Sequence, residues 1–276
     1  GVYKLVALVV VIGLLAILIF GGIKRIAQFA ELVVPFMAIG YFLMAVIIVV
    51  VNISDLPKVL SLIFTDAFTP MAGLGAAIGW GVKRGVYANE AGQGTGPHAA
   101  AAAEVQHPAQ QGLVQSFSIH FDSIIVCSAT AFMILMTSQY NVQGALEAGQ
   151  FIVQNVPAST EIGSPAFTQM AVSTIFGNFG QIFVALAVFF FAFTTIVAYY
   201  YIAETNLAYL SYITKSPSLL FIVKCSIILA VGYGLLSATG YIWGIGDIGV
   251  GLMAWINIIG IVVTYFIYKP TIKALK

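Results

Sequence analysis

The apolar residues of this chain fall in long unbroken blocks separated by short polar stretches. A soluble domain confines its apolar residues to one stripe of each helix, whereas a block that is apolar all round belongs in a protein interior or in lipid. A bilayer core takes about 20 consecutive apolar residues per helix. On that template seven spans are predicted, at roughly 5–23, 30–51, 62–82, 113–137, 180–203, 218–237 and 248–268. No stretch carries the alternating pattern of a membrane β-barrel.

Two connections between the blocks are long. Residues 84–112 include PHAAAAAEV, an alanine run suited to a short helix. Residues 138–179 contain Ser164 and Pro165 followed by AFTQMAVSTIF, which reads as a capped amphipathic helix on the membrane surface. Neither resembles an independent domain, so one transmembrane domain over 1–276 is expected.

Composition agrees with the pattern. The chain has 276 residues, 61% hydrophobic and 8% charged, against about 25% charged in soluble domains. The net charge of +1 offers no basic field for nucleic acid. Cys127 and Cys225 both lie inside apolar blocks and read as small buried hydrophobes. With seven alternating spans, Lys24, Arg25, Lys83, Arg84, Lys215, Lys224, Lys269, Lys273 and Lys276 all fall on one side, expected to be the cytoplasm, leaving Lys4 and Lys58 on the other. The chain opens GVYKLVALVV without an initiator Met or a basic leader, so a fragment of a longer protein is expected.

Candidate chemistry sits where polar or helix-breaking residues interrupt the blocks. The third span carries Pro70, Gly73, Gly75, Gly79 and Gly81. Close helix packing through small residues is one reading; the other is a discontinuous helix whose freed backbone groups line a polar cavity. Thr194 and Thr195 interrupt the fifth span. Their hydroxyls either bond back to the preceding turn or serve as hard oxygen ligands to a small cation. Tyr199, four residues beyond Thr195, shares its face and could wall a pocket.

Asp122 lies deep in the fourth span, where an ionisable residue either couples an ion or bonds neighbouring helices together. His120 reads as a hydrogen-bonded packing residue, and Glu31 and Glu204 lie near span ends. The loop GVKRGVYANEAGQGTGPHAAAAA lacks a nucleotide-binding pattern, and His98, Glu104 and His107 do not have a metal-site spacing. It reads as a re-entrant or surface loop packing under a transport path. A membrane enzyme would need a catalytic constellation. Asp122 and His120, two apart on a helix, do not share a face, so no enzyme is expected. A channel or non-transporting subunit is the alternative from another class.

The stretch GVKRGVYANEAGQGTGPHAAAAA with the following HPAQQGLVQSFSIHFDSIIVCSATAFMIL closely resembles the alanine/glycine:cation symporter family, the sodium:alanine symporters. So do GGIKRIAQFAELVVPFMAIGY, FFFAFTTIVAYYYIAETN and IWGIGDIGVGLMAWINIIG, in the family's order along nearly the whole chain. The variety most similar is that of Gram-positive bacteria.

That resemblance implies an all-α polytopic membrane protein of the LeuT-type inverted-repeat fold, with this chain covering core helices four to ten. It implies a bacterial plasma-membrane symporter taking a small neutral amino acid of the alanine/glycine class inward with Na⁺. Glutamine, a D-amino acid or H⁺ coupling are the alternatives, and no protein partner is implied. Met71, Ala72, Gly73, Leu74 and Gly75 would face the substrate on the broken span, with Thr195 and Tyr199 bordering the pocket. Phe191, Thr194 and Thr195 match the family's sodium-binding stretch.

Overall fold

The computed structural model describes residues 2–21, 23–69, 77–143, 151–161, 163–214, 218–237 and 239–274, and helix dominates them. The apolar blocks form α1 (Val2–Gly21), α2 (Ile23–Val51), α3 (Leu56–Ala67), α4 (Ala77–Tyr87) and the short α5 (Gly96–Ala100). They are followed by α6 (Pro108–Phe121), a π-helical turn (Asp122–Val126), α7 (Cys127–Met136), α8 (Ala166–Thr214), α9 (Ser218–Leu236) and α10 (Thr239–Ala274). Among the described residues, five stretches are long and apolar enough to cross a membrane: Glu31–Val51, Pro108–Met136, Ala166–Leu210, Ser218–Leu236 and Gly240–Lys269. Leu5–Gly21 is a shorter apolar helix. Helices satisfy their own backbone groups, which hydrocarbon demands. The chain is a mostly helical, polytopic membrane protein, and large side chains such as Leu32, Phe36 and Trp255 point outward, as a lipid-facing surface requires.

Six predicted spans coincide with α1, α2, α6 with α7, α8, α9 and α10. The seventh, over 62–82, is not one described helix: α3 ends at Ala67 and α4 begins at Ala77, with 70–76 outside the described residues. The alanine run forms α5, which ends at Ala100 and passes into turns.

The chain divides into two compact units. One comprises Gly1–Ile17, Gly73–Asp122 and Tyr200–Lys276; the other comprises Leu18–Ala72 and Ser123–Tyr199. In the second, Tyr41, Met44, Ala45 and Ile48 of α2, Ala129 and Met133 of α7, and Ala171, Val172 and Val184 of α8 form the core. Lipid tails are as apolar as leucine, so close packing and hydrogen bonds hold such helices together. Gly40 lets α2 approach α8, since a Cβ there would stand 2.6 Å from the Phe183 ring. The Tyr41 hydroxyl lies 2.7 Å from the Thr130 hydroxyl, tying α2 to α7.

The helix expected after Ser164 exists and is packed into this core, with Thr168, Ala171 and Val172 buried. Ser164 is not its cap: the hydroxyl is buried without a hydrogen-bond partner among the described residues. At Gly177 the helix breaks (φ 56, ψ −142), and 166–176 folds back so that a Cβ on Gly180 would meet Val172 at 2.6 Å. Before it stands an antiparallel pair that the apolar pattern does not announce, β1 (Asn141–Gln143) with β2 (Phe151–Gln154). Asn141 clamps it, its Oδ1 accepting from the N–H groups of Asn155 and Val156 at 2.9 and 3.0 Å.

In the first unit α1 packs on α9, where a Cβ on Gly232 would lie 3.3 Å from Ile12. Elements α4 and α5, with the turns between them, run beside α10.

Candidate functional site

Phe191, Thr194 and Thr195 occupy consecutive turns of α8 and converge on one oxygen. The Thr195 hydroxyl donates to the Phe191 carbonyl at 2.8 Å. The Thr194 hydroxyl reaches the Phe190 and Phe191 carbonyls at 2.8 and 3.1 Å. Back-bonding to the preceding turn is therefore the arrangement present. It does not exhaust the hydroxyls, since each has one donor and two lone pairs. Donation into the helix turns those lone pairs away from the backbone, where they can receive a cation.

The Phe191 ring is fixed edge-on to Tyr41 at 6.0 Å, which braces this turn against α2. Thr195 is exposed and Tyr199, one turn on, is 37% exposed, while the neighbouring Tyr200 is buried. Lys224 of α9 lies over the Tyr200 ring at 5.9 Å. Of the tyrosine run, Tyr199 is the more exposed and Tyr200 the packed one.

Asp122 opens the π-helical turn between α6 and α7 and is half-buried. Such turns insert one residue into the helical ladder. His120 is hydrogen-bonded as expected, its Nδ1 lying 2.8 Å from the Ser116 carbonyl, but it is exposed and, among the described residues, does not pack against another element. Met71, Ala72, Gly73, Leu74 and Gly75 lie outside the described residues.

Among the described residues, the chain breaks its helix further on. Helix α4 ends at Tyr87, residues Ala88–Glu90 form one tight 3₁₀ turn, and turns continue to Gly94 before α5. Glu90 (φ 49) and Gly94 (φ 75) both adopt the left-handed region, and a Cβ on Gly94 would stand 2.6 Å from Asn257 Oδ1. Asn257 of α10 donates through Nδ2 to the Ala91 and Gly92 carbonyls, both at 3.2 Å. Those carbonyls belong to an interrupted helix and lack the usual partners.

One turn earlier, Lys83 pairs with Asp247, and Tyr87 donates to the same carboxylate at 2.8 Å. The Arg84 guanidinium stands 4.7 Å from the Trp243 ring. His98 is held by the Thr95 carbonyl and by Asn206 Oδ1, both at 3.1 Å, and His107 Nδ1 caps α6 by accepting from the Ala109 N–H. Each histidine of the loop thus has a structural bond.

Asp247 precedes Lys269 by 22 residues on α10, about 33 Å at 1.5 Å per residue. The segment from Lys83 to His98 runs beside α10, and its break is bonded to Asn257 through the Ala91 and Gly92 carbonyls. Asp247 and Asn257 were not singled out from the sequence. The available signal was that each is a polar residue inside an apolar block, where it demands a partner.

A family model described as the sodium:alanine symporter family matches residues 1–276. The putative sodium/proton-dependent alanine carrier protein YrbD of Bacillus subtilis (strain 168) is 55% identical over 267 residues, covering 95% of this chain and 54% of that protein. The sodium/proton-dependent alanine carrier protein of Bacillus sp. (strain PS3) is 52% identical over 280 aligned positions, covering 100% of this chain and 62% of that protein. The probable sodium/glutamine symporter GlnT of Bacillus subtilis (strain 168) is 34% identical, covering 100% and 54%. The chain spans between 54% and 62% of the length of these three relatives. The match along the full chain, with relatives 52% and 55% identical over nearly all of it, places this chain in the sodium:alanine symporter family.

Proposed function

We propose that this chain supplies the ion- and substrate-binding helices of a secondary active symporter that carries a small neutral amino acid of the alanine class into the cell with Na⁺. The observation that carries it is the convergence of Thr194 and Thr195 on the Phe191 carbonyl. Hydroxyl and carbonyl oxygens are the ligands that a hard monovalent cation requires, and no carboxylate is needed among them. Sodium is here cargo, entering down its gradient and lending that gradient to the amino acid.

The arrangement proposed is of the LeuT type, a single transmembrane domain with this chain as core helices four to ten. The interrupted helix beside α10 supports it, because broken helices at midplane depth form the sites of such transporters. Met71, Ala72, Gly73, Leu74 and Gly75, with Thr195 and Tyr199, are the proposed substrate contacts, and Asp122 the proposed coupling or bracing carboxyl. In a bacterial plasma membrane, the ends bearing Lys24, Arg25, Lys215, Lys224 and Lys269 would face the cytoplasm. A second reading has a proton accompany or replace Na⁺. It is favoured by the two Bacillus relatives, both named sodium/proton-dependent alanine carriers.

The test is Thr195→Val in the protein expressed from its complete gene and reconstituted in proteoliposomes. Valine keeps the shape and removes the oxygen, so the Na⁺ concentration for half-maximal alanine uptake should rise about tenfold, the effect of losing roughly 1.4 kcal/mol of ligation. An unchanged Na⁺ dependence with alanine uptake intact would overturn the ligand assignment.

A further inference from the structure

The break beside α10 opens onto a pocket of about 350 Å³ that the symport reading above does not use. Its polar wall includes Thr95, Asn206 and Asn257, and its apolar wall Ile202, Met253 and Ile256. That volume lies at the small end of ligand pockets. Among the described residues no aspartate, glutamate, lysine or arginine lines it, so its ligand carries no net charge. The amides of Asn206 and Asn257 offer both donors and acceptors, which suits a molecule bearing both. His98, also on the wall, is engaged by Asn206 Oδ1 at 3.1 Å, and Asn206 Nδ2 is engaged by the Ile202 carbonyl at 2.8 Å.

One group on the wall has nothing to bond. Thr95 is 4% exposed, and its hydroxyl has no hydrogen-bond partner among the described residues. A buried hydroxyl left in that state is costly and marks a place where a partner is expected. The pocket also lies along a recognisable line. Thr195, Tyr199, Ile202 and Asn206 follow one another on α8 at spacings of four, three and four, so they share one face of that helix. The stripe that begins with the proposed substrate contacts ends at this pocket.

We propose that the Thr95–Asn206–Asn257 pocket is a second binding site for the transported neutral amino acid, holding the zwitterion by neutral hydrogen bonds with its aliphatic side chain against Met253 and Ile256. The choice of ligand rests on the symport reading; the site itself rests on the pocket and the unbonded hydroxyl. It shares no residue with the proposed cation ligands Phe191, Thr194 and Thr195.

The experiment uses the protein expressed from its complete gene, with native cysteines replaced by serine, in proteoliposomes. Thr95→Cys and Met253→Cys are introduced singly; the second removes no hydrogen bond and guards against a folding defect at the first. Labelling by a small methanethiosulfonate is timed with and without L-alanine, glycine or L-glutamine, and alanine uptake is measured in parallel. A protein retaining only Cys127, which is exposed and outside the pocket, reports general conformational change.

The expected result is labelling slowed about tenfold at both positions by a transported amino acid, since a ligand at about ten times its Kd leaves roughly a tenth of sites free. Cys127 should be unaffected. Alanine uptake with no protection at either position overturns the pocket and leaves the symport reading standing. Protection without uptake overturns the symport reading and upholds the pocket. Equal slowing at Cys127 assigns the effect to a conformational change and counts against the pocket.

Discussion

Asn257, on the tenth helix, holds Gly92 from more than 160 positions away in the chain: its amide donates to the Gly92 carbonyl and to that of Ala91, each at 3.2 Å. The bond pair replaces the helical partners that the break removes. Asn257→Leu keeps the size and leaves two carbonyls without the amide, one exposed and one half-buried. A hydrogen bond of this kind contributes about 0.5–1.5 kcal/mol net. Unfolding by SDS titration in mixed micelles should show a loss of that size, and a leucine variant as stable as the parent would refute the capping role.

Gly94 is a position where the break tolerates no side chain. Its φ of 75 carries a steric cost of about 1–2 kcal/mol for an L-residue, and a Cβ there would stand 2.6 Å from Asn257 Oδ1. Gly94→Ala should therefore cost more than the backbone penalty alone. In an Asn257→Gly background the clash disappears and only the backbone penalty remains. Equal costs of Gly94→Ala in the two backgrounds would show that the two residues do not meet.

Tyr41 and Thr130 share the hydrogen bond that ties α2 to α7. Such bonds between membrane helices average about 0.6 kcal/mol and reach about 1.7. A double-mutant cycle of Tyr41→Phe and Thr130→Val, read by the same SDS titration, should return a coupling in that range. Additive losses would place the Tyr41 contribution in its packing against Phe191 instead.

The helices were legible because a long apolar block has essentially one fate in lipid. The back-bonding of Thr194 and Thr195 was legible for a similar reason, being local to one turn of helix. The position of the described break was not. Glycines crowd both 70–75 and 92–96, and composition treats the two alike. What distinguishes the second is a pair of partners, Asp247 and Asn257, contributed by a distant helix. The β1–β2 pair escaped notice because strands of three and four residues are too short to show a period.

Gly177 has a consequence for how this chain can vary. Its backbone values interrupt the helical ladder between 166–176 and the long remainder of α8, so the rotational phase of one piece is not transmitted to the other. A residue inserted before Gly177 would turn the short piece within its own packing and leave Phe191, Thr195 and Tyr199 facing as they do. A residue inserted between Gly177 and Phe191 would rotate all of them by about 100° relative to the stretch before the insertion, at 3.6 residues per turn. Gly177 thus works as a phase break: length changes on its N-terminal side stay local, while those between it and Phe191 reach every oxygen of the Phe191–Thr195 turn.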